Sequence, residues 1–191
     1  MTHNDAVRWD QRYTEDGSLW QGRRPRRLLR QFAHLLPGSG LALDAAAGVA
    51  LHGLFLAEHG LHVVALDISE VGLRLARESA SKRGLWLETA VLDLAHPWLP
   101  ASYFDVIVNF RFLERATFPV YRQALKPGGL LLFETFIKID VQDDYPDHYL
   151  DPGELRAAFA DFIIIHHGQT EILDEQSCPI KMTEQLVARK R

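Results

Sequence analysis

The sequence predicts an α/β domain with a mostly parallel, helix-covered sheet, and three observations carry that prediction. Short apolar runs alternate with segments of helical spacing through five units. The clearest unit spans 41–57, where the apolar run at Leu41 ends in one carboxylate, Asp44, and small residues with Gly48 lead into Leu51, Leu54, Phe55 and Leu56 at helical spacing. After the last helix come two apolar runs, 162–166 and 182–188, joined by a polar connection. They read as a hairpin that places the C-terminal strand antiparallel to its neighbours.

Taken in order, 9–13 opens an amphipathic segment, and Trp9 and Trp20 flank a turn signal at Asp16-Gly17-Ser18. Pro25 stands at the first turn of a helix expected over 26–36, which the Pro37-Gly38 pair stops. A strand over 41–43 follows, then the small-residue turn and its helix to Gly60. The run 62–67 is a second buried strand, and Ser69 caps a helix with Val71, Leu73, Leu75 and Ala76 on or near its inner face, ending before Gly84. Strands are expected over 85–91, 103–109 and 130–136, with a helix over 119–125 and a stop signal at 126–129. A polar, aromatic loop over 138–150 precedes a helix over 154–160, marked by Pro152 and by acid in the first turn.

Bulk properties narrow the function classes. A chain of 191 residues suits one domain, here 1–191, able to bury a core without disulfides or metals. With 47% hydrophobic and 24% charged residues, and no apolar run of membrane-spanning length, a membrane role is not expected. The polar start lacks the features of a secretory signal, and the lone Cys178 cannot form an internal disulfide; both fit a cytoplasmic location. A formal net charge of −4 argues against a broad nucleic-acid footprint. The local exception is the basic run Arg23, Arg24, Arg26, Arg27 and Arg30, which reads as a solvated helix face or, less often, as an anion site. His166, His167 and Cys178 lack ligand spacing, so no metal is expected.

In open α/β sheets ligands bind at the carboxyl ends of the strands, near the point where strand order reverses. Those ends present Asp44, Asp67, Asp93, Asn109 and Glu134. Asp67 is placed either to accept from ribose hydroxyls or to share helix capping with Ser69. Asp93, between Leu92 and Leu94, either meets a base's exocyclic amine or caps nearby amides. Asn109 could contact a cofactor through its backbone, with Phe110 and Phe112 shaping the cavity or serving as core.

In these motifs the chain resembles the class I methyltransferases that use S-adenosylmethionine, within them the small-molecule branch of tellurite-resistance-type and thiopurine-type enzymes. The matching pieces are Leu43-Asp44 through Gly48, Val64 through Asp67-Ile68-Ser69, Leu92-Asp93-Leu94, Phe104 through Val108, and Leu125 through Phe136. The segment from Trp9 to Tyr13 is similar to that branch's lid, which makes 1–36 an amino-terminal helical lid segment. The resemblance implies a Rossmann-like, seven-stranded sheet in the order 3-2-1-4-5-7-6 with helices on both faces. S-adenosylmethionine is the implied cofactor, and its implied contacts are Asp44, Ala46, Gly48, Ala50, Asp67, Ile68, Asp93, Leu94 and Asn109, with Trp9 and Arg12 from the lid.

The implied partner is a small-molecule methyl acceptor, for a monomer or a homodimer. The acceptor side is expected in the variable regions, with Arg111, Tyr145 and His148 as candidate catalytic groups; an imidazole can exchange a proton near neutral pH. Asn109-Phe-Arg-Phe112 stands where base-methylating enzymes carry a Pro-Pro signature, which disfavours nucleic-acid methylation. Two departures bear on activity. Ala50 replaces a usual glycine, so that its methyl group either crowds the cofactor's amino-acid end or is accommodated by a slightly shifted turn, and Leu51 replaces an often polar or basic residue. A catalytically degenerate binding protein of the same fold is the alternative. A nicotinamide enzyme is excluded by glycine spacing, since Gly53 is the next glycine after Gly48.

Overall fold

The computed structural model describes residues 3–138, 148–172 and 181–191. Seven strands form one sheet in the order β3-β2-β1-β4-β5-β7-β6. They are β1 (Leu41–Ala45), β2 (His62–Asp67), β3 (Leu87–Val91), β4 (Phe104–Phe110), β5 (Leu125–Ile137), β6 (Ile163–Ile172) and β7 (Lys181–Arg189). The first five pair in parallel, whereas β7 runs antiparallel to both β5 and β6. The helices are α1 (His3–Gln21), α2 (Arg27–Gln31), α3 (Leu51–Glu58), α4 (Glu70–Lys82), α5 (Thr117–Ala124) and α6 (Glu154–Ala158).

Strand side chains alternate between the two faces, and this divides the core. Ile107, Leu131 and Phe133 point to one face and meet Phe118 and Tyr121 of α5 and Leu155 of α6. Val106, Val108, Leu130 and Leu132 point to the other and meet Leu28 and Leu29 of α2 and Leu56 of α3. Both faces of β4 are therefore apolar and buried, the condition for a central parallel strand. Its penultimate position is polar: Asn109 is fully buried, with Nδ2 donating to Phe112 O at 2.8 Å and Oδ1 accepting from Tyr121 Oη at 3.1 Å.

Several element boundaries differ from the sequence expectation. Asp16-Gly17-Ser18 is no turn, because α1 continues through it to Gln21. Gly17 serves the packing of α1 on α4 instead: a Cβ there would stand 2.6 Å from Leu75 Cδ1. The helix expected over 26–36 is broken into α2 and a 3₁₀ turn, Ala33–Leu35. β3 starts two residues late, at Leu87, and β4 extends one further, to Phe110. The stop signal at 126–129 lies inside β5, which begins at Leu125. Lys126 Nζ there bonds Asp105 Oδ2 at 2.7 Å, and the same oxygen accepts from Leu41 N at 2.8 Å, tying the feet of β4, β5 and β1 together.

Candidate active site

A cleft of about 760 Å³ opens at the carboxyl ends of the strands, where an α/β sheet places its ligands. Its left half, at the ends of β1, β2 and β3, is lined by Ala46, Ala47, Asp67, Ile68, Leu92 and Leu94. Ala46, Gly48 and Ala50 all have left-handed backbone, with φ of 52, 55 and 52°. For the two alanines that conformation costs roughly 1–2 kcal/mol each. The turn is held by hydrogen bonds in return. Asp67 Oδ2 accepts from Gly48 N at 2.7 Å and Oδ1 from Ser69 N at 2.8 Å, joining the β1 turn to the β2 turn. Of the two roles expected for Asp67, the structure shows the bonding of backbone amides at the start of α4, and the side chain also lines the cleft. Burial raises its pKa, against the pull of those amides.

Asp44 is fully enclosed beneath the turn, where Oδ2 accepts from Gly53 N at 2.7 Å. Burial pushes its pKa up to about 7, the Gly53 amide opposes that rise, and the charge of Asp67 adds to it. Asp44 and Asn109 therefore support the cleft from below without lining it. Asp93 Oδ1 accepts from Ala95 N at 2.9 Å, the capping arrangement, and only its neighbours Leu92 and Leu94 line the cleft. Ala50 is turned away from the cleft. Its methyl group packs in a core cluster with Ala47, Ala65, Leu73 and Ala76 and does not line the cleft, whereas Leu51 does.

The amino-terminal helix closes this half from above. Tyr13 is buried against Gly48, so tightly that a Cβ on Gly48 would fall 2.2 Å from Tyr13 Oη, and burial raises the pKa of the phenol. Trp9 stacks on Tyr13 with ring centroids 5.7 Å apart, Trp20 meets it edge-on at 5.9 Å, and Arg12 lies 5.3 Å from each indole. Asp10 Oδ1 accepts from Ser69 Oγ at 2.6 Å and Val71 N at 3.1 Å, capping α4 from a distant part of the chain. Ser69 Oγ itself accepts from Gly72 N, as the sequence predicted. Nothing in the sequence pointed to Asp10, because its partners lie about sixty residues away.

The right half, at the ends of β4, β5, β6 and β7, is lined by Phe110, Arg111, Phe112, Phe136, Ile172 and Lys181, with Arg26 and His52 beside them. Arg111 also has left-handed backbone, φ 60°. Its Nε donates to Glu134 Oε1 at 3.2 Å, and its guanidinium sits 4.7 Å from the centre of the Phe136 ring. Burial and the nearby charge of Arg26 lower the Arg111 pKa to about 10, so it remains a cation at neutral pH. His52 stacks on Phe110 at 4.3 Å, and burial, then Arg26, lower its pKa to about 3. Its Nδ1 lies 4.0 Å from Asp44 Oδ1, and the buried Nε2 has no hydrogen-bond partner among the described residues.

Of the three candidate catalytic groups, only Arg111 lines the cleft. His148 is exposed on the segment before α6 and outside the cleft lining, and Tyr145 lies outside the described residues, as does Cys178. No group of three His, Cys, Asp or Glu among the described residues could hold a metal ion, and no described helix is long and apolar enough to cross a membrane. Of the basic run, Arg23, Arg24 and Arg26 line the cleft, while Arg27 and Arg30 are exposed.

Residues 42–129 match a family model described as a methyltransferase domain. Among curated proteins, glycine/sarcosine N-methyltransferase of Halorhodospira halochloris is 29% identical over 143 residues, which cover 69% of this chain and 49% of that protein. Ubiquinone biosynthesis O-methyltransferase of Idiomarina loihiensis is 35% identical over 101 residues, 49% of this chain and 41% of that one. The chain thus spans about half the length of the curated relatives it matches. Among solved structures, TehB from Haemophilus influenzae superposes with a TM-score of 0.76 at 20% identity, covering 96% of this chain and 67% of that one. Residues 42–129 are thus similar to a methyltransferase domain, and the strand order and the placement of the cleft give the chain the Rossmann-like fold of its structural neighbours.

Proposed function

We propose that this protein transfers a methyl group from S-adenosylmethionine to a small-molecule acceptor. The observation that carries the reading is Asp67, a carboxylate at the end of β2 on the cleft wall, held rigid by two backbone amides beside a turn of small residues. A carboxylate has about four lone-pair sites. Two are taken here, leaving capacity for the vicinal hydroxyls of a ribose. Ile68, Leu92 and Leu94 supply apolar surface for a base, and Ala46 and Ala47 let a ligand approach the backbone closely. The cleft volume of about 760 Å³ suits a nucleoside-sized ligand together with a small acceptor. The donor set therefore fits the cofactor.

Bound there, S-adenosylmethionine supplies a sulfonium-activated methyl group, so that positioning an in-line nucleophile accounts for most of the acceleration. The protein's share is binding and exclusion of water. Trp9, Arg12 and Tyr13 act as the lid over the left half, with Arg12 offering a cation to the amino-acid end of the ligand. In the right half Arg111 orients the acceptor as a fixed cation; protonated at neutral pH, it is no general base. His148 keeps a base role only if the segment before α6 brings it to the cleft.

Isothermal titration with S-adenosylhomocysteine tests the reading. Binding that is saturable and weakened at least about 100-fold, roughly 3 kcal/mol, by Asp67→Ala is expected; no binding to the wild-type chain overturns it.

A further inference from the structure

Among the described residues, the right half of the cleft holds more positive charge than its carboxylates balance. Arg26, Arg111 and Lys181 line it, and buried Glu134 is the acidic group whose charge acts on both Arg26 and Arg111. Glu134 is already engaged: Oε1 accepts from Arg111 Nε at 3.2 Å and Oε2 from Gln185 Nε2 at 2.8 Å. Arg26 makes no side-chain hydrogen bond or ion pair with any described residue, and among the described residues Lys181 rests 5.8 Å from the Phe136 ring that also carries Arg111. The charge of Arg26 also lowers the pKa of Arg111, and burial lowers that of Arg26 itself. Two partly desolvated guanidiniums against one shared carboxylate are costly unless something else supplies negative charge. A net charge of −4 for the whole chain makes the local excess the more specific.

Apolar surface lies beside these cations. Phe110, Phe112, Phe136 and Ile172 form the rest of this wall. A guanidinium fork matches an oxyanion with two oxygens in plane, and it can do so while stacked on an aromatic ring. The strained backbone of Arg111 contributes to this arrangement: φ of 60° is held by Arg111 N donating to Glu134 O at 2.8 Å, which turns the side chain over Phe136.

We propose that Arg26, Arg111 and Lys181 form an anion subsite and that the methyl acceptor is a small organic anion, a carboxylate or phosphate ester, whose apolar body lies against the phenylalanine wall. The identification as acceptor rests on the methyl-transfer reading above; the anion subsite itself does not. Anion and cofactor occupy separate halves of the cleft, so both bind at once.

The test is calorimetric titration of the full chain with benzoate and phenyl phosphate, each against its neutral counterpart, benzamide or phenol, with and without saturating S-adenosylhomocysteine. At least one anion is expected to bind at least about tenfold more tightly than its counterpart. Arg26→Gln and Lys181→Ala are expected to weaken it about tenfold and threefold, with S-adenosylhomocysteine affinity within about twofold of wild type. Lys181 is exposed, so its variant keeps the test valid if Arg26→Gln lowers the melting temperature. Equal affinity for anion and neutral counterpart, no binding by either anion, or no effect of both variants overturns the subsite. Displacement of S-adenosylhomocysteine by the anion overturns it as well, since the cations would then serve the cofactor's own carboxylate. If S-adenosylhomocysteine fails to bind at all, the methyl-transfer reading falls, and titration of the free protein still decides the subsite.

Discussion

At the ends of β1, β2 and β3 the cleft is lined by small and aliphatic side chains with one carboxylate, while at the ends of β4, β5 and β7 it is lined by aromatic rings and cations. The two regions differ as much in how their polar groups are satisfied. On the left, Asp67, Asp44 and Asp93 all accept from backbone amides two to nineteen residues away, so the loops are braced before any ligand arrives. On the right, Arg26 and Lys181 have no carboxylate of their own among the described residues. A braced half suits one invariant ligand, because rigid donors and acceptors need no reorganisation. A half with unbalanced charge gains most from a ligand that brings the missing charge.

Asp67→Ala strikes the braced half and should have the largest effect. Besides the loss of S-adenosylhomocysteine affinity, two buried amides lose their acceptor, at about 1–3 kcal/mol each, offset in part by removal of a desolvated carboxylate. Anion binding in the right half should survive, so a variant that loses both ligands yet melts cooperatively would show that the halves are not independent.

Asp44 and His52 lie where the halves meet, and their pH dependences oppose each other. The folded pKa of Asp44 is raised from 3.8 to about 7, so the folded state binds the extra proton and stability is lost as pH rises through that window. The folded pKa of His52 is lowered from 6.5 to about 3, so the unfolded state binds the extra proton and stability is gained as pH rises through that one. Where the windows overlap the contributions cancel. His52→Gln removes one of them, and urea melts of that variant should lose up to about 1.4 kcal/mol per pH unit between pH 4.5 and 6.5. A flat profile for the variant would contradict a protonated, buried Asp44.

Phe136→Ala tests the right half more gently. It removes the ring beneath Arg111 and Lys181, contacts worth about 0.5–2 kcal/mol. The tighter-binding probe of benzoate and phenyl phosphate should weaken about fivefold, with S-adenosylhomocysteine affinity unmoved. Ala50→Gly should do least. Glycine relieves the left-handed strain of about 1–2 kcal/mol but gives up a buried methyl of about 0.8 kcal/mol and a stiffer unfolded chain. A melting temperature within about 3 °C of wild type and unchanged S-adenosylhomocysteine affinity are expected; a gain in affinity would return the methyl of Ala50 to the cleft.

Much of the fold was legible because local patterns carry it. The run 62–67 is a strand at those very bounds, and Ser69 caps α4 as its position before an apolar helix implied. Where local pattern failed, tertiary packing had overruled it: Gly17 reads as a turn residue until Leu75 is seen to need the space. The left half was legible too, since its residues lie within a few positions of the strand ends. The right half was legible only in part, through Phe110, Arg111, Phe112 and the basic run that holds Arg26. Arg26, Lys181 and Ile172 come from three distant segments, and His52 carried no signal of its own.

By itself, then, the sequence determined the alternation of strands and helices, the hairpin at the end, and the carboxylates at or near the ends of β1, β2 and β3, though not Glu134, which lies inside β5, because hydrophobic periodicity and turn chemistry act over a few residues. Only the tertiary structure decided that Tyr13 seats on Gly48, that the methyl of Ala50 turns into the core, and that three cations converge on one aromatic wall. Those outcomes depend on strand order and helix docking. Both are set by burial of apolar surface across the whole domain, which no short window of residues contains.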